Sequence, residues 1–211
     1  MLPGLVAMIL LASGCHGPGT SDARQSIQLQ DTSYVYLDDY STDFIYDFRY
    51  ATNNNFLHQA VYPCSSCVLS FETVKALIRA NESAMKKGFQ IRLFDCYRPH
   101  DIQVKMWEIL PDRRYVADPS GKGSAHNRGI AVDFTLQTLD GKMLEMGTDF
   151  DYFGEKAHHD YSNLPDSVLE NRQILKQIME NAGFEALPTE WWHYTLRSRY
   201  EYHPNNFPLC R

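Results

Sequence analysis

Two ionisable side chains flank a pair of tryptophans in the segment "EWWHYTL", residues 190 to 196. Trp191 and Trp192 are large apolar groups that usually lie packed inside a protein, so they carry Glu190 and His193 toward the interior. Ionisable groups in the interior cost free energy unless they are paired or bind a metal ion. The segment therefore predicts that Glu190 and His193 face a charged partner or a metal.

A second segment, "GSAHNRGIAVDFTL", contains His126 and Asp133 with six residues between them. In a fully extended chain the two would lie about 23 Å apart. They can share one site only if the chain folds back, and Gly129 is the residue best able to permit this. Asp133 lies in an apolar strand-like run, where a carboxylate needs a partner.

Glu190 and His193 are three positions apart, an offset that places two side chains on opposite faces of a regular strand. Both can face one site if the strand begins with a bend or bulge at residues 190–192. His126, Asp133 and His193 would then form a catalytic zinc set with one open position, and Glu190 could accept a proton from water. The spacing alone also allows ordinary hydrogen-bonded histidines and a buried, satisfied Asp133.

The composition sets limits on the class of protein. The chain has 211 residues, 44% of them hydrophobic, and a formal net charge of −6. This length fits one globular domain, and the acidic balance argues against nucleic-acid binding. After the first fifteen residues, no stretch is apolar enough for a membrane helix.

The first residues, "MLPGLVAMILLASGC", have the pattern of a secretory signal followed by a cysteine. A cysteine directly after Ala-Ser-Gly resembles a bacterial lipoprotein processing site. We therefore expect a signal peptide at 1–14, a lipidated Cys15 with a polar linker to residue 30, and the folded domain at 31–211. A plain signal peptide or a misassigned start remains an alternative. The expectation is an exported protein on the periplasmic side of a bacterial envelope, held to the membrane only through Cys15.

Four further cysteines follow in the folded region, at positions 64, 67, 96 and 210. An even number in an exported protein indicates two disulfides, for which three pairings exist. The Cys64-Ser-Ser-Cys67 spacing is also typical of half a zinc site or a redox motif, although no second pair of this spacing follows.

Periodicity predicts a mixture of helices and strands. Helices are expected at 70–87, at 101–110, and from a capping box at Ser167 and Glu170 to Gly183; strands are expected at 89–97, 130–136 and 190–196. Because the order lacks a βαβ rhythm, we predict a single α+β domain with a central antiparallel sheet flanked by helices.

The segments "SAHNRGIAVD" and "EWWH" resemble the Ser-x-His-x-x-Gly-x-Ala-x-Asp and Glu-x-x-His motifs of zinc D,D-peptidases. Within that superfamily, the chain is most similar to the D-alanyl-D-alanine dipeptidases known from vancomycin resistance. The resemblance covers about residues 44–196 and includes four more segments in the family's order: "FRYATNNNFLHQAVY", "DCYRP", "MGTDFDYF" and "HH" at 158–159. It implies the hedgehog/D,D-peptidase-like fold.

The resemblance implies a role for each matching residue. His126, Asp133 and His193 match the ligands of one zinc ion, and Glu190 matches the general base. Arg98 matches an arginine that stabilises the oxyanion of the scissile carbonyl. The residues that match the substrate-binding groups are Tyr50 and Asp151, for the free ammonium, and Ser124, near the carboxylate end. The resemblance also favours the disulfides Cys67–Cys96 and Cys64–Cys210.

The activity implied is zinc-dependent hydrolysis of D-Ala-D-Ala to two D-alanines, in cell-wall turnover or salvage. One alternative is a D,D-carboxypeptidase or endopeptidase acting on peptidoglycan stem peptides, which should lack the ammonium-binding Asp151 and Tyr50. Another is a non-catalytic, envelope-anchored peptide-binding protein with a structural metal. Asp149, two residues before Asp151, is a competing candidate for the ammonium-binding carboxylate.

Overall fold

The structure, a computed structural model, describes residues 29–211. The proposed signal peptide, Cys15 and most of the linker lie outside the described residues. The helices and strands are β1 Tyr34–Tyr36, β2 Ile45–Tyr46, β3 Val68–Ser70, α1 Phe71–Met85, β4 Phe89–Asp95, α2 His100–Ile109, β5 Ala131–Thr138, α3 Asp166–Asn181, β6 Phe184–Ala186 and β7 His193–Leu196. Short 3-10 helices lie between them, one of which, Ala125–Arg128, belongs to the candidate site.

A five-stranded sheet in the order β2-β4-β5-β7-β6 forms the centre of the molecule. β5 is buried along seven of its eight residues because it pairs with β4 on one side and β7 on the other. These pairs and β6–β7 are antiparallel, which confirms the predicted α+β class. The short β2 runs parallel to β4, so the sheet is not wholly antiparallel. A separate antiparallel pair is formed by β1 and β3.

Helix α1 packs an apolar face against the sheet, and it begins where the sequence indicates. The Ser70 hydroxyl accepts a hydrogen bond from the backbone N–H of Thr73 at 3.3 Å, which satisfies a donor that the first helical turn leaves free. Val74, Leu77 and Ala80 are fully buried, at the helical spacing expected for one face.

Helix α3 begins differently from the prediction. The expected capping box at Ser167 is wrong, because the helix begins at Asp166 with Pro165 as its N-cap and without a side-chain cap. The backbone N–H groups of Val168 and Leu169 both donate to the Pro165 carbonyl. The first turn is therefore already formed where Ser167 lies, and a serine inside the turn cannot cap it.

The last strand is shorter than expected, and the reason bears on the site. β7 begins at His193, and Trp191 and Trp192 form a turn before it. The bend expected at residues 190–192 is thus present. Likewise β4 ends at Asp95 and not at Tyr97, since the chain turns away to form the segment that carries Arg98.

Two disulfides connect distant parts of the described chain, Cys67–Cys96 and Cys64–Cys210. This is the pairing that the resemblance implied. The first joins the start of β3 to the end of β4, and the second ties the C-terminal segment back to the loop before β3. Within residues 29–211, no helix has the length and apolarity needed to cross a bilayer.

Candidate active site

Three potential metal ligands meet at the end of the sheet. Asp133 of β5 and His193 of β7 are paired residues in neighbouring strands, and His126 lies on the 3-10 helix before β5. Asp133 Oδ1 lies 2.9 Å from His193 Nδ1 and 3.3 Å from His126 Nε2, and the two ring nitrogens are 3.1 Å apart. One oxygen and two imidazole nitrogens therefore point at a common position.

The backbone around His126 is shaped by its neighbours. The Ser124 hydroxyl accepts the His126 N–H at 3.2 Å, and the Asn127 side chain accepts the Ser124 N–H, which together form a capping box. Gly129 ends the helix at φ 65°, and a Cβ there would lie 2.7 Å from the Tyr34 ring. The fold-back expected at Gly129 is confirmed, since both the left-handed backbone and the close approach require glycine.

Each histidine of the cluster has a second polar partner outside it. The Nδ1–H of His126 donates to the Cys96 carbonyl at 2.6 Å, which leaves Nε2 free to bind a cation. On His193 the roles of the two nitrogens are exchanged: Nδ1 faces Asp133, while Nε2 lies 3.2 Å from the Thr195 hydroxyl. Metal-binding histidines usually have such outer partners, because these fix the tautomer and the ring plane.

The electrostatics of this cluster suit a cation. Burial raises the pKa of the Asp133 carboxyl, but His126 and His193 outweigh burial and lower the pKa below its ordinary value. Burial lowers the pKa of His126, and the Asp133 and Asp95 carboxylates more than offset it, so the net shift is upward. The three donor atoms lie within 4.8 Å of one another, and two imidazoles with one carboxylate fit a catalytic zinc ion.

Glu190 and His193 both line the same cleft because of the tryptophan turn between them. Trp191 donates its indole N–H to the Thr148 hydroxyl at 2.7 Å, and the Trp192 ring packs edge-on against Phe150. Both tryptophans are buried, as expected, and they hold the turn. Burial and the Asp133 charge raise the pKa of Glu190, although His193 counteracts them in part. A carboxylate with a raised pKa in a cleft is suited to proton transfer.

Arg98 is held in the cleft by three side chains. Its guanidinium donates to Asp95 Oδ2 at 2.7 Å, to Gln103 Oε1 at 2.9 Å and to the Tyr62 hydroxyl at 3.4 Å. Burial lowers the pKa of Arg98, but the carboxylate of Asp95 more than compensates, so the group stays charged. The guanidinium also lies 5.1 Å above the Tyr50 ring. A fixed, buried cation is thus aimed at the cleft.

Tyr50 and Asp151 form a pair on another wall of the cleft. The Tyr50 hydroxyl donates to Asp151 Oδ2 at 3.0 Å. Burial, together with the Asp133 charge, raises the pKa of Asp151 well above its usual range, so a cation placed beside Asp151 would stabilise its charged form. Asp149 is exposed and does not line the cleft, so the structure places Asp151 and not Asp149 at the site.

The cleft has a volume of about 350 Å³, and all eight candidate residues line it: Tyr50, Arg98, Ser124, His126, Asp133, Asp151, Glu190 and His193. Ser124 uses its side-chain oxygen to cap the 3-10 helix that carries His126. The contact with the substrate expected for Ser124 would therefore come in addition to this structural role. A space of this size suits a small molecule.

Sequence reasoning gave no role to Asp95, Tyr62 and Gln103, which hold Arg98. Asp95 was visible as a carboxylate in the apolar run "LFDCY", the same signal that drew attention to Asp133. It also missed the aromatic wall, in which the Phe153 ring stacks on Tyr115 at 4.2 Å and contacts Phe56 edge-on at 5.0 Å. These three rings come from separate loops, so no local pattern joins them.

Comparisons with known proteins identify the family of the chain. A family model described as D-ala-D-ala dipeptidase matches residues 30–208. The chain is 35% identical over 154 residues to the D-alanyl-D-alanine dipeptidase of Escherichia coli strain K12, covering 73% of this chain and 79% of the relative. It is 34% identical over 197 residues to that of Enterococcus faecium, covering 84% and 96% of the two chains.

Two solved structures are more distantly similar. A vancomycin-resistance D,D-pentapeptidase VanY variant solved with Zn(II) matches at 14% identity and a TM-score of 0.43, covering 63% of this chain and 74% of that one. The vancomycin-resistance D,D-dipeptidase VanXYg, solved with a D-Ala-D-Ala phosphinate analogue, matches at 18% identity and a TM-score of 0.40, covering 63% and 52%. The family model and the two bacterial relatives decide the assignment: the chain belongs to the D-Ala-D-Ala dipeptidase family.

Proposed function

We propose that this protein hydrolyses the dipeptide D-Ala-D-Ala to two D-alanines with one zinc ion as its cofactor. The observation that carries the proposal is the convergence of the His126–Asp133–His193 cluster with Glu190 and Arg98 in one small cleft. Three ligands leave a position open, as in catalytic rather than structural zinc sites. A bound zinc ion supplies a Lewis acid that acidifies water and polarises a carbonyl.

The protein's own residues supply proton transfer and stabilisation of the developing negative charge. Glu190 takes the proton of the attacking water and passes it to the departing amine, a task for which its raised pKa suits it. Arg98 donates hydrogen bonds to the carbonyl oxygen as negative charge develops there. Because Arg98 is already fixed by Asp95, little reorganisation is needed during the reaction, and such a donor contributes about 3 kcal/mol to catalysis.

The Tyr50–Asp151 pair supports a preference for a free dipeptide. Asp151 is half-buried and its carboxyl has a raised pKa, so its charged form needs a cation beside it in addition to the Tyr50 hydroxyl, and the ammonium of D-Ala-D-Ala is such a cation. An N-acylated peptide has no charge at this position and would leave the Asp151 carboxylate without a counter-charge. A site built around a buried polar partner discriminates strongly against a ligand that lacks it.

The first experiment measures D-alanine release from D-Ala-D-Ala and from N-acetyl-D-Ala-D-Ala by the purified, zinc-loaded protein. We expect turnover of the free dipeptide only, and its loss in Glu190→Gln, with zinc still bound. Glu185→Gln, which changes an exposed glutamate on β6, is the matched control and should retain activity. Cleavage of the acetylated substrate would favour a carboxypeptidase. Zinc binding without turnover of either substrate would favour a non-catalytic peptide-binding protein.

We further propose that the protein is exported, lipid-anchored through Cys15, and acts on dipeptide released during cell-wall turnover. The apolar run that ends in Ala-Ser-Gly-Cys supports the anchor. The two disulfides support export, since such bonds persist in oxidising compartments. Fractionation with radiolabelled palmitate should place a labelled protein in the membrane fraction, and Cys15→Ala should lose the label. Recovery of unlabelled protein in the cytoplasm would reject this proposal.

A further inference from the structure

The residues after β7 return to the back of the active site. Asn205 accepts the backbone N–H of His100 on its carbonyl at 3.0 Å and donates its own N–H to the Asn127 carbonyl at 3.3 Å. His100 lies two residues after Arg98, and Asn127 is next to His126. One residue of the C-terminal segment thus bonds to the two loops that carry Arg98 and His126.

The two loops are also bonded to each other at this point. The Arg98 N–H donates to the His126 carbonyl at 3.1 Å, and the Asn127 side-chain amide donates to the Arg98 carbonyl at 2.8 Å. Asn127 is fully buried. Asn205 therefore extends a hydrogen-bonded unit that fixes the backbone of a candidate ligand relative to that of the candidate oxyanion donor.

Tyr97 adds side-chain hydrogen bonds to this hydrogen-bonded unit. Its hydroxyl donates toward the Asn205 carbonyl at 2.6 Å and accepts the Phe207 N–H at 2.8 Å, and its ring is fully buried. Since Tyr97 directly precedes Arg98, a bond between Tyr97 and the C-terminal segment restrains the backbone at Arg98.

The far end of the segment is anchored independently of the site. The Phe207 ring stacks on Tyr34 at 5.4 Å, Leu209 is buried, and Cys210 is bonded to Cys64 across 146 positions of sequence. Beyond the disulfide, Arg211 forms ion pairs with Asp38 and Asp39. The segment is therefore fixed at one end by a covalent bond and at the other by the active-site loops.

We propose that residues 205–210 form a clasp that positions Arg98 and His126 relative to each other, with Asn205 and Tyr97 as its positioning residues and the Cys64–Cys210 disulfide as its lock. None of these residues lines the cleft or contacts the reacting atoms. Misplacement of a catalytic group by about 1 Å can cost ~100-fold in rate, so a device that fixes two groups has a kinetic consequence.

The test compares two tyrosines that each bond to the clasp through a hydroxyl. Tyr97→Phe removes the two hydrogen bonds, to Asn205 and from Phe207, that lie beside Arg98. Tyr36→Phe removes a bond from the Tyr36 hydroxyl to the Pro208 carbonyl, which lies at the outer face of the clasp. Both variants lose one hydroxyl that bonds to the same segment, but only the Tyr97 hydroxyl lies beside Arg98. Faster exchange in the two site loops, and not in the segment alone, therefore reports on the site.

Hydrogen–deuterium exchange and kinetics are measured on the full chain loaded with zinc. Tyr97→Phe is expected to speed exchange of the amides in 98–101 and 125–128. It should lower kcat about 10-fold, which is less than the ~100-fold loss for a displacement of about 1 Å, and it should change KM by less than about threefold. Tyr36→Phe should leave amide exchange in these two loops and kcat unchanged. The double variant Cys64→Ser/Cys210→Ser should reproduce the Tyr97→Phe pattern more strongly.

Equal effects of the two tyrosine variants, or faster exchange confined to residues 205–211, would overturn the proposal and leave the clasp a stabilising feature only. The kinetic readout rests on the proposed function, whereas the exchange readout does not. A wild-type protein without turnover would count against that function, while the exchange difference would still decide whether the clasp restrains the two loops. If the double serine variant fails to fold, the tyrosine pair gives the answer alone.

Discussion

Asp95 and Asp133 are paired residues on the neighbouring strands β4 and β5, and both carboxylates are buried. Two anions side by side in the interior are costly unless each has a counter-charge. Asp95 has one in Arg98, at 2.7 Å. Asp133 faces two imidazoles, which are full counter-charges only when protonated. A divalent cation at His126, Asp133 and His193 would complete the charge balance, so the sheet register itself favours a metal.

The Asp95–Arg98 pair leads to the first prediction. Asp95→Asn should lower kcat about 100-fold, because the guanidinium loses the anchor that aims it at the developing charge, and this is the scale of losing one oxyanion-hole donor. It should also destabilise the fold by about 3 kcal/mol, since a buried charge is left without its partner. Steady-state kinetics and urea unfolding measure the two effects.

Asp38→Asn is the control for that substitution. It also removes a carboxylate that pairs with an arginine, Arg211, but both side chains are about half exposed. Exposed pairs contribute little to stability, so kcat and the free energy of unfolding should stay close to those of the unmodified protein. An Asp95→Asn variant with unchanged kcat would show that Gln103 and Tyr62 suffice to hold Arg98.

The second prediction concerns metal binding and stability. Zinc added to metal-free protein should raise the midpoint of thermal unfolding, because a ligand that binds only the folded state stabilises it by about 4 kcal/mol at a 1,000-fold excess over Kd. His126→Gln should lose most of this shift. His203→Gln removes an exposed histidine in the C-terminal segment and should keep it. An equal shift in both variants would place the zinc elsewhere.

The three candidate metal ligands and Glu190 could be predicted because they lie in two compact motifs, whereas Tyr50, Arg98 and Asp151 lie outside them and were implied by the family resemblance. The apolar strand around Asp133 and the tryptophan turn before His193 are local patterns, and the sheet register then brings the two together. The fold class followed from the order of the helices and strands for the same reason. Local periodicity, however, does not specify which strands become neighbours, so the parallel pairing of β2 with β4 was not expected.

What could not be predicted depends on contacts between distant segments. Tyr62, which bonds to both Asp95 and Arg98, comes from a loop more than thirty positions earlier and joins this pair only in the folded chain. The capping box at Ser167 matches the local pattern, yet Pro165 starts the helix earlier. Asn205 holds the clasp by backbone hydrogen bonds to loops about 78 and 105 positions away. Backbone groups are the same in almost every residue type, so the sequence does not reveal such bonds.

The third prediction tests the ammonium site at Asp151. This residue has φ 58°, a backbone conformation that asparagine tolerates better than alanine does. Asp151→Asn therefore removes the charge with little added strain. KM for D-Ala-D-Ala should rise about 10-fold or more, and discrimination against the N-acetylated dipeptide should shrink, because an amide pairs weakly with an ammonium. Asp149→Asn, on the same loop outside the cleft, should leave both quantities unchanged. Unaltered selectivity in Asp151→Asn would refute the assignment.

The fourth prediction is a dependence of stability on pH that originates away from the cleft, at His159. Burial lowers the pKa of His159 to about 4, with smaller contributions from Lys176 and Arg172, whereas an unfolded histidine titrates near ~6.5. Its Nε2 is buried without a hydrogen-bond partner among the described residues, and its ring packs edge-on against Tyr194. Between these two pKa values the unfolded chain binds a proton that the folded chain does not.

The contribution of His159 to stability is therefore present above pH 6.5 and is lost as the pH falls toward 4. The slope is at most about 1.4 kcal/mol per pH unit, and it should be smaller here because the imidazole is only partly buried. His159→Phe, which keeps an aromatic ring against Tyr194, should flatten the free energy of unfolding between pH 6.5 and 4. Urea unfolding across this range measures it, with His203→Gln as the control for losing an exposed imidazole. A curve for His159→Phe as steep as that of the unmodified protein would mean that His159 is protonated in the folded state.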